Sequence, residues 1–417
     1  MRVAYVIYNE RPMSGLVRTQ VISLLKEIKR QAPEISMTLV SFWQPWVVIK
    51  YRKELAQMRK ELLAAGIEVE NYPWAIIPSR YFLYNVMLFP IVHWWAYWLF
   101  HRVLDNRFQI VHCRSYFASL IAAQLKQEFG YRCIFDMRSL WPKEHVTAGA
   151  WTTKDCIYRM WKRLEQLTVA LSDATIGVTT PMIDEIHHIE PGAKAIPIPI
   201  AVDTLELYFD EQGRNEIRKR HNWNDCLVVV YEGSFGLLNR NIYNLAEYFA
   251  FILKLWPDAH LLILTPNAGI AIPRIMRAYG IMPTQFTVKE PEPGELRRWL
   301  SAADVGIHVM PKGPDSDTRL GVKVVEYLSC GLPIIVNSNV GAAANLVYKY
   351  GIGAVVDLER ARESESKLIE LFQKAHLLRS LCRGVAEELF SVKSCATKYI
   401  DLYRQLGGLT LKMEASK

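Results

Sequence analysis

The sequence predicts an α/β protein of two doubly wound parallel-sheet domains, and three observations carry that prediction. Short apolar runs of strand length alternate with amphipathic stretches along the chain, as βα repetition requires. The runs are apolar rather than alternating, which suits strands covered on both faces. The 417 residues, 51% of them hydrophobic, are enough for two cores, and a polar segment from Asp210 to Asn224 separates one series of strands from a second.

The first series opens with a strand at 3–8, a helix over about 16–30, a strand over about 36–42, a helix over about 50–65 and a short strand from Gly66 to Val69. Further strands are expected at Ile110–His112, Cys133–Phe135 and Thr175–Val178, with Pro197 and Pro199 closing the series. The second series has strands at Leu227–Val230, Leu261–Leu264, Val305–Ile307 and Ile334–Val336. The domains are therefore read as 1–204 and 205–417, with the last helix returning toward the first domain. No repeat and no low-complexity segment interrupts them.

Composition narrows the function. Seven cysteines, scattered and without a Cys-x-x-Cys pair, give neither a disulfide framework nor a zinc site. The chain passes from Met1 directly into a strand, with no signal-peptide pattern, so a cytoplasmic protein with reduced thiols is expected. Charge is uneven: residues 1–200 hold 24 Lys and Arg against 17 Asp and Glu, so +7 of the net +8 lies there. The first domain is expected to meet an anionic surface or substrate. No motif for reading nucleic acid is present.

The most informative stretch is Asp317 to Val340, DTRLGVKVVEYLSCGLPIIVNSNV. Gly321 opens a helix whose free N–H groups suit an anion, and Lys323 adds a cation within the first turn, which together make a diphosphate seat. Glu326, five residues after Gly321, can accept hydrogen bonds from a ribose diol. Gly331 and Pro333 stop the helix before a buried strand. In open α/β sheets ligands bind beyond the carboxyl ends of strands, so the residues following each strand are candidates too. They include Gly15 in the first turn, where an ordinary tight turn is the alternative, Arg114 after the Ile110 strand, Arg138 after the Cys133 strand, and Gly233 and Ser234 after the Leu227 strand.

The Asp317–Val340 stretch resembles the donor-binding helix of family-4-type retaining glycosyltransferases of the GT-B fold, whose pattern is Glu-Gly-Phe-Gly, a spacer, then Glu-Ala-x-Ala-x-Gly-x-Pro-Val. Gly321 matches the second glycine, Glu326 the second glutamate, and Gly331 and Pro333 the Gly-x-Pro. Thr318 stands where the family places its first glutamate. Phe135 to His145 is similar to the family's Arg-Asp-Leu-Trp-Pro-Glu segment, with Ser139 in place of the aspartate. His112 and Arg114 occupy the family's His-x-His.

The resemblance implies two Rossmann-like domains facing a central cleft. The second would hold a nucleotide-diphosphate sugar, and the first would present the acceptor. It implies a hexosyl transfer with retention, without metal or other cofactor. Lys323 and the amides near Gly321 would hold the diphosphate, with Arg319 as a second cation. Glu326 would hold the ribose, and Arg138 and Arg114 would act from the first domain. An Arg138–Asp136 ion pair that merely braces its loop is the alternative for Arg138, and His112 reads as structural. Two Asp residues, Asp315 and Asp317, could share a cation, but helix and lysine phosphate binding requires none. A nucleotide-sugar epimerase of the same fold and a catalytically silent binding or membrane-docking subunit remain open.

Residues 81–100 contain no charge and are long enough to span a bilayer, but Asn85, Pro90 and His93 interrupt them and the surrounding βα series forbids a crossing. Their Trp and Tyr content suits an interface. Trp43 and Trp46 precede the basic segment Lys50, Arg52, Lys53, Arg59 and Lys60, which suits anionic headgroups. An anionic membrane surface, the inner face of the cell membrane, and a lipid-linked glycan acceptor are thus expected partners; a buried helix at 84–104 is the alternative.

Overall fold

In a computed structural model, residues 1–10, 17–73, 86–235, 241–266, 271–292 and 294–414 are described. The chain divides into two compact units. The first comprises residues 1–142, 151–201 and 392–417, and the second residues 143–150 and 202–391.

The first unit holds a seven-stranded parallel sheet of β1 (Arg2–Tyr8), β2 (Ser36–Phe42), β3 (Glu68–Tyr72), β4 (Ile110–Arg114), β5 (Arg132–Met137), β6 (Ala174–Gly177) and β7 (Ala195–Pro197), in the order β3-β2-β1-β4-β5-β6-β7. Successive residues of a strand face opposite sides. In β1, Val3, Tyr5 and Ile7 join one core with the Arg52–Ala64 helix and the returning Val392–Glu414 helix, while Ala4 and Val6 join another with the Phe89–Val103 and Tyr116–Phe129 helices. The second unit has a six-stranded parallel sheet of β8 (Val228–Glu232), β9 (His260–Leu264), β10 (Phe286–Lys289), β11 (Val305–His308), β12 (Ile334–Asn337) and β13 (Gly353–Val356), ordered β10-β9-β8-β11-β12-β13. Each sheet reverses its winding once, between β1 and β4 and between β8 and β11, the positions at which doubly wound folds open their ligand crevices.

Three strands lie outside the sequence expectation: β7, β10 and β13. All are at sheet edges, and β10, Phe-Thr-Val-Lys, is only partly covered, so it lacks the apolar run that marks a buried strand. The expected helix at 50–65 is two, Pro45–Lys50 and Arg52–Ala64. The expected helix at 16–30 begins with a π-helical stretch, Arg18–Ser23, that continues into Leu24–Gln31.

Two parts of the membrane expectation change. Trp43 is fully buried and donates from its indole to Asn71 Oδ1 at 3.2 Å, so it is a core residue, whereas Trp46 is exposed. The basic Arg52–Ala64 helix and the aromatic Phe89–Val103 helix pack on opposite faces of the sheet, because Leu55, Met58 and Leu62 of one join Val3 and Tyr5 while Ala96, Leu99 and Phe100 of the other join Ala4 and Val6. They do not form one patch of basic and aromatic side chains. Among the described residues no helix is long and apolar enough to cross a membrane; residues 81–85 lie outside them.

Candidate functional site

In the second unit, a cluster of charged side chains sits beyond the carboxyl ends of β8 and β11, where the winding reverses. Gly321 caps the Val322–Ser329 helix with φ +79°, a conformation that disfavours a side chain, and a Cβ there would also run into the His308 imidazole at the end of β11. Gly321→Ala is therefore expected to lower stability by roughly 1–3 kcal/mol, measurable by urea unfolding, and a change within error would show that this turn relaxes freely.

Lys323 sits in the first turn of this helix. Its ammonium donates to Glu232 Oε1 at 2.5 Å and to Glu326 Oε2 at 2.9 Å. The three side chains are mostly covered from solvent, so the pairing acts in a low-dielectric setting. The second oxygen of Glu232 is buried without a partner. Burial and the Glu326 carboxylate push the Glu232 carboxyl up to about 8, against the pull of Lys323. Lys323 is held well above its ordinary range: burial works against its charge, but the two carboxylates outweigh burial. The β8 end is fixed from the same helix, since the Glu232 backbone N–H donates to the Tyr327 hydroxyl at 2.6 Å. The Tyr327 ring occupies the space left by the missing side chain of Gly306.

His308 is buried, and neither ring nitrogen has a hydrogen-bond partner. Burial, reinforced by Lys323 and Arg319, pushes its imidazole down to about 4, so it is neutral near pH 7. Sequence reasoning missed both Glu232 and His308, although each is the last residue of its strand, the position that the strand-end rule singles out.

Arg319 has a different place from the one expected. Its Nε and Nη2 donate to the two oxygens of Asp315 at 2.8 and 2.7 Å, and Nη1 donates to the carbonyl of Pro311 at 2.5 Å. Asp315 also accepts from the Thr147 hydroxyl. A bidentate fork spent on Asp315 and a carbonyl holds the 311–319 loop together and leaves Lys323 as the cation at the helix start. Asp315, read as one of two residues able to share a metal, is thus committed to Arg319, and among the described residues no three His, Cys, Asp or Glu side chains gather as a metal-ligand set. Thr318 donates to the Asp315 carbonyl at 3.0 Å. Gly233 and Ser234 follow β8 directly; Gly15 lies outside the described residues.

The first unit carries its own buried polar centre at the carboxyl ends of β1, β4 and β5. Arg114 donates from Nε to Glu10 Oε2 at 2.8 Å and from Nη2 to Gln20 Oε1 at 2.9 Å, and its Nη1 is buried without a partner. Arg138 donates to the same Gln20 oxygen at 3.0 Å and to Asp136 Oδ1 at 3.3 Å. The π-helical stretch thus places one amide oxygen between two guanidinium groups. The Arg138–Asp136 pair weighed from sequence is formed, and Arg138, the less buried of the two arginines, keeps 15% of its side chain exposed against 6% for Arg114.

Asp136 is fully buried. Burial disfavours its charge, but Arg138, His112 and Arg114 outweigh it and hold the carboxyl well below its usual range. His112 Nδ1 lies 2.6 Å from the Tyr403 hydroxyl, and burial lowers its pKa. Tyr399 and Tyr403, from the returning helix, close this centre and were not singled out in the sequence.

No family model and no curated protein matches the sequence. Solved structures do. Sucrose-phosphate synthase from Thermosynechococcus elongatus is similar at TM-score 0.72 and 17% identity, covering 98% of this chain and 99% of that one. Anabaena Alr3699/HepE in complex with UDP is similar at TM-score 0.67 and 12% identity, over 97% and 100%. A protein described as a UDP-N-acetylglucosamine 2-epimerase from Listeria monocytogenes is similar at TM-score 0.57 and 12% identity, over 97% and 96%. The fold is GT-B, with two Rossmann-like domains, as the motifs imply.

Proposed function

We propose that this chain is a retaining hexosyltransferase that uses a nucleotide-diphosphate sugar and requires no metal or other cofactor. The observation that carries the reading is the joining of Lys323, Glu326 and the glycine-capped helix start beside the ends of β8 and β11. The free N–H groups after Gly321, together with Lys323, receive the diphosphate, so that charge developing on the leaving group meets a fixed cation and helix amides. Glu326 accepts from the ribose. Gly233 and Ser234 bring backbone close to the donor. A donor phosphate oxygen takes the acceptor proton, and no protein base is needed. In the first unit, Arg138 holds an anionic part of the acceptor, while Arg114 steadies Arg138 through Gln20. A lipid-linked glycan is the acceptor that suits this basic domain, with the protein held peripherally at the inner face of the cell membrane.

A second reading has a specific observation behind it. Glu232 with its raised pKa and neutral His308 are a carboxyl and an imidazole beside the proposed donor seat, the kind of pair an epimerase requires. Incubating nucleotide sugars without acceptor separates the two: an epimerised sugar nucleotide would make the epimerase the better account. Tight binding with no product in either assay would identify a silent subunit.

The direct test of the donor seat is Glu326→Ala, titrated calorimetrically with UDP, GDP and ADP in the presence of EDTA. Loss of a charged acceptor from a diol is worth roughly 1.5–3 kcal/mol, a drop on the order of 10- to 150-fold for the nucleotide that binds best. Unchanged affinity removes the ribose assignment. Wild-type binding abolished by EDTA and restored by magnesium or manganese removes the metal-free one.

A further inference from the structure

The Phe89–Val103 helix is apolar on both sides. Val92, Ala96, Leu99, Phe100 and Val103 face the core of the first unit. Ile91, Trp94 and Trp98, with Met87 one turn earlier, recur at helical spacing along the opposite side, and they are exposed by 60%, 65%, 40% and 86%. Single exposed apolar side chains are ordinary on a protein surface; a line of three along one helix, continued by a fourth in the turn before it, is not.

Cations predominate among the charges around this line. The helix contains no Asp or Glu, and Arg102 lays its guanidinium over the Trp98 ring at 5.2 Å. Phe89 meets Trp161 edge-on at 5.6 Å, which sets the Cys156–Leu171 helix alongside. That helix exposes Arg159 and Arg163, while its one carboxylate, Glu165, is buried. The nearby acid, Glu128, pairs with His101 at 2.6 Å, toward the far end of the helix.

We propose that this face rests on an anionic bilayer, with Met87, Ile91, Trp94 and Trp98 set into the headgroup boundary and Arg102, Arg159 and Arg163 meeting lipid phosphates. An amphipathic surface with tryptophans on its apolar side and cations beside it has the composition of an interfacial element. At about 1.5 Å per residue the helix is shorter than the roughly 30 Å hydrocarbon layer, and its other side is committed to the sheet, so it lies on the membrane and does not cross it. The docking surface is therefore the face of the sheet opposite the basic Arg52–Ala64 helix. This inference gives the lipid-linked acceptor of the proposed function a place to be met, but it rests on surface chemistry independent of the nucleotide seat.

The test is co-sedimentation of the full chain with phosphatidylcholine vesicles, with and without phosphatidylglycerol. The expected result is binding that depends on the anionic lipid, weakens with salt and falls by at least about tenfold both in Ile91→Gln/Trp94→Gln/Trp98→Gln and in Arg159→Glu/Arg163→Glu. Lys53→Glu/Lys60→Glu on the opposite face should bind as the wild type does. Absence of wild-type binding, equal binding by the α-helical face variants, or loss of binding only in the Lys53/Lys60 variant overturns the proposal. So does a dimer, seen by sedimentation velocity without lipid, that dissociates on Trp94→Gln, since a second copy would then cover the face. Nucleotide titration of the same variants should be unchanged, so failure here is distinguishable from failure of the donor seat.

Discussion

Replacement of Lys323 by methionine is expected to weaken nucleoside diphosphate binding by about 30-fold or more. A charge-assisted contact to a phosphate is worth roughly 1.5–3 kcal/mol, and here it acts in a mostly covered site. The present partners of the ammonium sharpen the expectation. Glu232 and Glu326 both accept from it, so its loss leaves the Glu326 carboxylate uncompensated beside Glu232 at the seat where further negative charge must enter. Glu232, at about 8 with Lys323 in place, should then hold its proton to still higher pH. The same arrangement gives the wild type a pH dependence. Bound diphosphate favours the protonated form of Glu232, so affinity should fall as pH rises through about 8 and the carboxyl loses its proton. Calorimetry with a nucleoside, its monophosphate and its diphosphate decides whether the lysine reads phosphate. A loss that grows with the number of phosphates supports the assignment, whereas an equal loss for all three makes Lys323 a support for the helix alone.

Asp136→Asn should destabilise the protein by about 3–5 kcal/mol, the range for removing one partner from a buried ion pair. Arg138 and Arg114 would be left close together around Gln20 with only Glu10 as a carboxylate partner. The sign of the pH dependence follows from the direction of the Asp136 shift. Its folded pKa lies below the unfolded value of about 3.9, so its contribution is complete above that pH and is lost as pH falls from there toward the depressed folded value. Urea unfolding from pH 7 downward should show a smaller acid-induced loss in the variant than in the wild type. Equal acid slopes would mean that Asp136 does not carry the interaction, and an unchanged pH 7 stability would mean that the centre tolerates Arg138 without a carboxylate partner.

The interior strands were readable because a parallel sheet buries them on both faces, and β1 and β8 are apolar along most of their length. The edge strands β7 and β10 were not, since partial cover removes the need for an apolar run, and β13, though covered, is only four residues long and opens on a glycine. Gly321, Lys323 and Glu326 could be found together because helical spacing fixes their relations within a few residues. Glu232 could not be found as the partner of Lys323, because the contact joins residues separated by 91 positions and depends on how two strand ends come together. Arg319 shows the converse error. It stands at a suitable position in the motif, but Asp315 four residues earlier claims its guanidinium, an i, i+4 pairing that sequence alone offered without requiring.

The return of the Val392–Glu414 helix to the first unit has a consequence for the order in which the chain can be completed. His112 reaches its tyrosine partner across 291 residues, and the core around Tyr5 and Ile7 includes Cys395, Ala396, Tyr399 and Tyr403. A ribosome emits all seven strands of that sheet long before it emits the helix that covers them, and in the interval the intervening residues 202–391 can assemble their own sheet. The unit begun first is thus finished last. Until then it exposes an apolar strip on one side of β1 and an unscreened polar centre, and closure must await a contact of high sequence separation.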